Sequence, residues 1–299
     1  MPITEAQRVE RRKHIGSSDM AAVLGVDPWR TPYDVWAEKS GKLIEAEPTD
    51  VMLAGNRFED GVLDYAEERL GPLLRNVHLT CPGTPLAANV DALVKEDTEP
   101  VEAKTAGLFG PLKDRWGDEG TDEIPDRVIV QCHVEMLCRV GDEVDGTGLA
   151  AAYREATCCH VGAFLGGRGF GLFVVPRNKS LCDIILDEAA KFWTCVERDT
   201  PPAGAVGTPH VLKLMRREPE KIVSIDPAIV RTWLDAKAAL KAAGEHEEQA
   251  KAAVLTAMGN GEAALCGDLG ALTYLTVNRK GYTVQPSSYR QLRHKPQGL

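Results

Sequence analysis

Two short apolar runs, Leu86 to Val94 and Pro100 to Ala106, do most to limit what this chain can fold into. Each has the length of a strand and is bounded by Pro, Gly or acidic turn residues. Side chains two apart on a strand share a face, so Glu102 and Lys104 project together while Ala103 turns the other way, into a core. With the Asp91 run paired alongside, two carboxylates and one ammonium meet on a single patch. Two carboxylates suit a hard divalent cation, and magnesium prefers oxygen ligands with several waters retained. A lysine beside them can orient or deprotonate an attacking water and stabilise charge on a phosphate. Taken alone, Asp followed by Glu-x-Lys arises by chance in many chains, and its plain reading is two strand edges bearing solvated charges.

Helices are expected around these strands. Ser17-Ser18-Asp19 before Met20 to Leu24 and Gly25 reads as a short helix capped by Ser17 or Ser18, with a glycine stop. Pro32 to Ser40 reads as a second, ended by Gly41. Thr49 to Leu70 predicts a longer amphipathic helix with Met52, Phe58, Val62, Tyr65 and Leu70 as its apolar stripe, and Gly55 inside it points to close packing. Another strand is expected over Asn76 to Cys81. Pro125 opens a helix reaching about Val140. Thr157 to Leu165 and Phe170 to Val175 read as a hairpin through Gly166 to Gly169, and Ser180 to Glu197 as a helix. Gly141 to Glu155 receives no assignment. Asp199 to Pro209, rich in Pro and Gly, marks a boundary. Beyond it, Pro227 to Met258 reads as one or two solvent-facing helices, and Gly267 to Val284 as a hairpin around Asn278 to Gly281. The expected organisation is a domain over residues 1–202 with an appendage over 203–299.

The 299 residues are 43% hydrophobic and 26% charged, which suits a soluble globular protein. No apolar stretch is long enough to span a membrane, and Met1 to Arg12 lacks the apolar core of a signal peptide, so a cytoplasmic location is expected. There are eight cysteines but no CxxC. Cys132 and Cys138 are widely spaced and Cys158-Cys159 is poorly placed to chelate one ion, so the cysteines read as structural thiols. A net charge of -9 argues weakly against nucleic acid as a partner. Basic residues nonetheless cluster at Arg8 to Lys13, at Lys213 to Arg217 and from Arg279 to Lys295, so a basic groove can coexist with an acidic surface.

Asp91 with Glu102-Ala103-Lys104 is the motif of the PD-(D/E)xK nuclease superfamily, here with Val90-Asp91 in place of Pro-Asp. Further residues extend the likeness: Arg11 with Ile15-Gly16-Ser17-Ser18-Asp19, Ala22 to Gly25, Pro28-Trp29-Arg30-Thr31-Pro32-Tyr33, and Trp36 to Gly41. Gly55, Glu59, Trp116-Gly117, Ile124-Pro125 and Gln131 follow in order. Over Arg11 to about Pro201 the chain resembles the YqaJ-like viral recombinase family, the group containing lambda-type exonuclease. It departs from that pattern at Val90, at Ala92 where the family often has Gly, at Val128 where it often has Tyr, and in a longer 141–155 segment.

The resemblance implies an α/β fold of restriction-endonuclease-like type: a central mixed sheet flanked by helices, with a C-terminal helical and β-hairpin appendage. It implies a metal-dependent 5′-to-3′ exonuclease acting on double-stranded DNA ends and producing 3′ single strands for an annealing protein or recombinase, in a phage or prophage setting within a bacterial host. By the same resemblance Asp91, Glu102 and the Ala103 carbonyl hold Mg²⁺, for which Mn²⁺ can substitute, and Glu59 completes the site. Read alone, Glu59 is one exposed acid among Asp60, Asp64, Glu67 and Glu68. Gln131 would hydrogen-bond near Lys104, though unaided it is an ordinary helix residue. Arg11 and Ser18 resemble the pair that grips a terminal 5′-phosphate. Trp29, Trp36 and Trp116 are candidates for base stacking, with core packing the safer role for Trp36. His133 points away from the lysine and reads as structural. A homo-oligomer, a trimer above other states, is implied by ring-forming relatives. The appendage reads equally as a DNA-holding or partner-docking element or as a stabilising cap.

Two alternatives stand beside this reading. A RecB-like or CRISPR-adaptation nuclease shares the motif but often carries four cysteines around an iron–sulfur cluster, and no closely spaced cysteine trio occurs here. A catalytically inactive DNA-end-binding protein would show damage at Glu102 or Lys104, and both are intact.

Overall fold

The computed structural model describes residues 9–44, 49–107, 115–140, 155–216 and 218–277. The chain divides into two units, residues 1–217 and 218–299.

A seven-stranded mixed sheet organises the first unit. Its strands are Ile15–Gly16 (β1), Leu73–Thr80 (β2), Leu86–Val94 (β3), Pro100–Ala106 (β4), Arg139–Val140 (β5), Cys158–Leu165 (β6) and Gly169–Pro176 (β7). They run in the order β5-β2-β3-β4-β6-β7, with β1 parallel to the start of β3. β2, β3 and β4 are antiparallel neighbours, β4 and β6 are parallel, and β6 and β7 form the expected hairpin. Parallel neighbours need a crossover, and a helix lies between β4 and β6 in the chain: Asp126–Leu137, labelled α4 below. The expected bounds of β3 and β4 match the observed ones. β1 was not expected, because two residues carry no readable periodicity.

The helices of this unit are Ser17–Val23 (α1), Pro32–Lys39 (α2), Asp50–Leu70 (α3), α4, Lys179–Glu197 (α5) and Pro209–Leu214 (α6). α2 and α3 begin at threonine caps: Thr31 Oγ1 accepts the Asp34 N–H and Thr49 Oγ1 that of Met52. α1 departs from expectation. Its N-cap is Gly16, whose N–H donates to the Asp19 carboxylate at 3.1 Å, and neither serine caps it. α4 ends at Leu137 rather than near Val140, because Arg139 and Val140 pair with β2 instead.

Two cores sandwich the centre of the sheet. α1, α2, α4 and α5 cover one, with Ile15, Met20, Val35, Val130, Val134 and Ile185 packed on Leu86, Ala88 and Val90. α3 covers the other, where Leu63 and Ala66 meet Ala92, Val94 and Val101. Of the stripe expected on α3, Val62 is buried, alongside Leu63 and Ala66, whereas Met52 and Phe58 are exposed. Gly162 on β6 accounts for the close approach, since a Cβ there would lie 2.9 Å from Val62 Cγ1.

The alternation of β3 breaks at Asp91. Leu86, Ala88 and Val90 belong to the first core, together with Leu93, while Ala92 and Val94 belong to the second. Opposite, Asn76 takes φ 58°, and the Asn76–Asp91 rung is absent from an otherwise continuous ladder. Such a local irregularity re-aims a side chain. It falls on the acid of the motif.

The first unit extends past the boundary expected at residue 202. Asp34 accepts the Thr208 N–H at 2.9 Å, Leu43 bridges Met215, and the Arg216 N–H donates to the Lys42 carbonyl at 2.7 Å. The second unit holds one long helix, Pro227–Met258 (α7), with no buried residue. It also holds a small hairpin of Ala263–Leu265 (β8) and Ala271–Thr273 (β9), turned through Gly267 to Leu269. The expected turn at Asn278 to Gly281 lies outside the described residues. Among the described residues, no helix is long and apolar enough to cross a membrane.

Candidate active site

β3 and β4 are paired only at Ala92–Val101 and Leu93–Pro100. The same register places Asp91 opposite Glu102, and there the ladder stops. In its place the Asp91 carboxylate accepts the Ala103 N–H at 2.7 Å. The Ala103 side chain packs against the core beneath α3, so Glu102 and Lys104 face the opposite side, toward α4. The alternation of β4 thus presents them together.

The Lys104 ammonium bonds Glu102 Oε1 and donates to Gln131 Oε1 on α4 at 2.9 Å. Gln131 Nε2 donates in turn to Glu135 Oε1 at 3.0 Å, one helical turn further. Glu135 is fully buried, and burial, followed by repulsion from Glu102, pushes its carboxyl well above the usual range. With a carboxyl oxygen as its acceptor, the amide of Gln131 is oriented so that its oxygen faces the lysine. Sequence reasoning missed Glu135. Its four-residue spacing from Gln131 was the available signal.

The three acids repel one another. Burial and then Glu102 push the Asp91 carboxyl up to about 8, against the pull of the Ala103 N–H and Lys104. Burial and then Glu102 also raise that of the half-buried Glu59, on α3. For Lys104, burial works against the charge, but Glu102 and Asp91 outweigh it and hold the ammonium's pKa above its ordinary value. Glu102 Oε2 is buried and has no hydrogen-bond partner among the described residues. An unpartnered buried carboxylate oxygen is costly. Its position among mutually repelling carboxylates fits a divalent cation, which would satisfy it and relieve the repulsion.

A second group differs in kind. Cys132, Glu135 and Cys159 place ligand atoms within 4.8 Å of one another, all buried. Burial raises the Cys159 thiol and the Glu135 carboxyl together, so both favour their protonated forms. That environment suits packing better than a hard cation such as magnesium.

Ser18 is exposed and lines a cavity of about 200 Å³ together with Lys104, Gln131, Trp29 and Arg127. Arg11 is not among the residues lining that cavity. It is exposed, and its carbonyl accepts from the Lys39 ammonium at 2.9 Å. Lys39 also pairs with Asp19 at 2.6 Å, with only 2% of either side chain exposed, and Arg30 bonds Asp19 at 2.7 Å. Although burial raises the Asp19 carboxyl, these two cations hold it below the usual range. The knot fastens α1 to α2 and to the segment carrying Arg11.

The tryptophans separate. Trp36 is buried, its Nε1–H donating to the Cys195 carbonyl, and Trp116 is buried against Phe173. Neither presents a ring for base stacking. Trp29 is 59% exposed. His133 is buried with both nitrogens engaged, by the Ile129 carbonyl at 2.7 Å and the Asn178 N–H at 3.0 Å.

An aspartate at a break in β3, a Glu-x-Lys on the adjoining strand and a glutamine on the next helix thus stand together on a mixed sheet between helical layers. Residues 9–149 match the YqaJ-like viral recombinase domain family. It is 30% identical over 189 residues to the uncharacterized protein YqaJ of Bacillus subtilis (strain 168), covering 62% of this chain and 54% of that one. It thus spans about half the length of the curated relative it matches. Among solved structures, LHK-Exo, an alkaline exonuclease from Laribacter hongkongensis, overlaps with a TM-score of 0.47 at 15% identity, over 66% of this chain and 94% of that one. The complex of LHK-Exo with dAMP gives 0.48 at 17% identity, with the same coverage.

Proposed function

We propose that the protein is a magnesium-dependent exodeoxyribonuclease that degrades double-stranded DNA from an end in the 5′-to-3′ direction. The observation that carries this reading is the join of Lys104 to Glu102 beside Asp91, with the second Glu102 oxygen left for a cation. Asp91, Glu102, Glu59 and the Ala103 carbonyl would hold Mg²⁺ or Mn²⁺, and the ion supplies Lewis-acid polarisation of a phosphate oxygen. Lys104, held cationic, stabilises charge on the phosphate, and Gln131 fixes the direction of its ammonium. Water attacks phosphorus, the bond to the 3′-oxygen breaks, and that oxygen takes up a proton. A 5′-mononucleotide leaves and a new 5′-phosphate remains.

Arg11 and Ser18 would grip the terminal phosphate. Ser18 shares its cavity with Lys104 and Gln131, which supports its part in this. The product, a 3′ single strand, suits an annealing protein or recombinase, with the protein of phage or prophage origin and acting in the cytoplasm of a bacterial host. Assembly as a trimer would let several copies enclose the duplex. The 203–299 appendage would hold DNA or a partner.

The test is digestion of linear against circular duplex with metal supplied or chelated. Linear DNA is expected to be degraded in Mg²⁺ or Mn²⁺ and circular DNA spared, with Ca²⁺ supporting binding but little cleavage. Glu102→Ala and Lys104→Ala are expected to abolish turnover while leaving the protein folded. Full activity in chelator, or in Lys104→Ala, refutes the proposal.

A further inference from the structure

We propose that Trp29, flanked by Arg127, is a stacking platform for the base of the 5′-terminal nucleotide, which lies between the terminal phosphate at Ser18 and the scissile phosphate at Lys104. The inference rests on the nuclease reading and adds to it a subsite for a nucleobase.

Trp29 is 59% exposed, although its neighbours in the loop are tightly held. The Asp27 carboxylate accepts the N–H groups of Trp29 at 2.7 Å and of Arg30 at 3.1 Å, closing a short turn. The Arg30 guanidinium then bonds Asp19 and Glu38, each at 2.7 Å. The backbone bearing the ring is thus anchored to α1 and α2. A preorganised aromatic side chain has little freedom left to lose on binding.

The second observation is where the ring stands. Trp29 and Arg127 line the same cavity of about 200 Å³ as Ser18, Lys104 and Gln131. The Arg127 guanidinium lies 4.7 Å from the centre of the Trp29 ring. Arg127 precedes Gln131 by one turn of α4, so both point from one face of that helix into the cavity. The cavity therefore combines two cations and a hydroxyl, which suit the phosphates on either side of that nucleotide, with one flat apolar ring at its rim. A ligand with an anionic group next to a planar ring matches that set. A nucleotide has this chemistry, and base stacking on an aromatic ring tolerates any sequence, as end-degradation requires. Asp27, also on the cavity wall, is occupied by the two N–H bonds.

The test uses the full chain with a hairpin duplex that has one 5′-phosphorylated end and 2-aminopurine as the 5′-terminal base, in Ca²⁺ to hold cleavage back. Binding of the unaltered protein is expected to quench the probe through contact with Trp29. Trp29→Ala is expected to leave the bound probe bright and to weaken binding about tenfold. Trp29→Phe should restore most of both. An unchanged melting temperature confirms that Trp29→Ala is folded. If the unaltered protein degrades linear DNA but Trp29→Ala binds and quenches equally well, the platform is refuted and the nuclease reading survives. If the unaltered protein neither binds nor degrades DNA, both fall together.

Discussion

Magnesium affinity is expected to depend steeply on pH, because the cation must displace a proton from Asp91. The Asp91 carboxyl is pushed up to about 8, first by burial and then by Glu102. Below that value the metal-free site holds a proton there, and a protonated carboxyl is a poor ligand. Each pH unit below the pKa lowers the deprotonated fraction about tenfold, or ~1.4 kcal/mol. At pH 6, two units down, affinity is expected to fall about a hundredfold from its plateau above pH 8. Glu59, also raised, acts in the same direction. The stability of the metal-free protein has the matching sign. A carboxyl whose folded pKa lies above its unfolded value favours the fold when protonated, so that contribution is lost as pH rises from 3.8 toward about 8. Added magnesium restores it at the alkaline end. Calorimetric titration with Mg²⁺ from pH 6 to 9, in buffers of different ionisation enthalpy, measures both affinity and protons released. Asp91→Asn is expected to bind weakly with a flat profile. Affinity at pH 6 within twofold of that at pH 9 would refute the reasoning.

Other outcomes follow from single contacts. Glu135→Ala removes the acceptor that orients Gln131 and should lower turnover at least tenfold, whereas Glu135→Gln, which keeps an acceptor, should retain most of it; equal losses in initial-rate assays would deny the positioning role. Asp19→Ala leaves Lys39 buried without its partner and should cost about 3–5 kcal/mol in a denaturant melt. If Arg11 grips the terminal phosphate, unaltered protein should prefer 5′-phosphorylated over 5′-hydroxyl ends, and Arg11→Ala should lose one to two decades of rate on the former, roughly 1.5–3 kcal/mol; a preference that survives the substitution places the pocket elsewhere. Removal of residues 218–299 should leave short duplexes cleaved while lessening the salt dependence of DNA binding, and an unchanged slope would favour a stabilising cap.

Much of this was legible in the chain because local rules govern it. Strand periodicity alone put Glu102 and Lys104 on one face and Ala103 on the other, since successive side chains on any strand must alternate. The bounds of β3, β4 and α7 follow from turn residues, caps and composition. What the chain alone left open depends on contacts between distant segments. Nothing local in Leu86 to Val94 announces that alternation breaks at Asp91, because the break lies opposite Asn76 of β2, where the ladder between the two strands is interrupted. Trp29, Trp36 and Trp116 are alike as residues, and only the packing of α5 and β7 against the latter two decides that Trp29 alone of the three stays exposed. Glu135 reads as one more helix acid until α4 is laid across β4 and β6 and buries it behind Gln131. The sequence thus determined which groups could share a face. Tertiary packing, by removing water from some of them, decided which carboxyls are pushed toward their protonated forms and where a cation would be welcome.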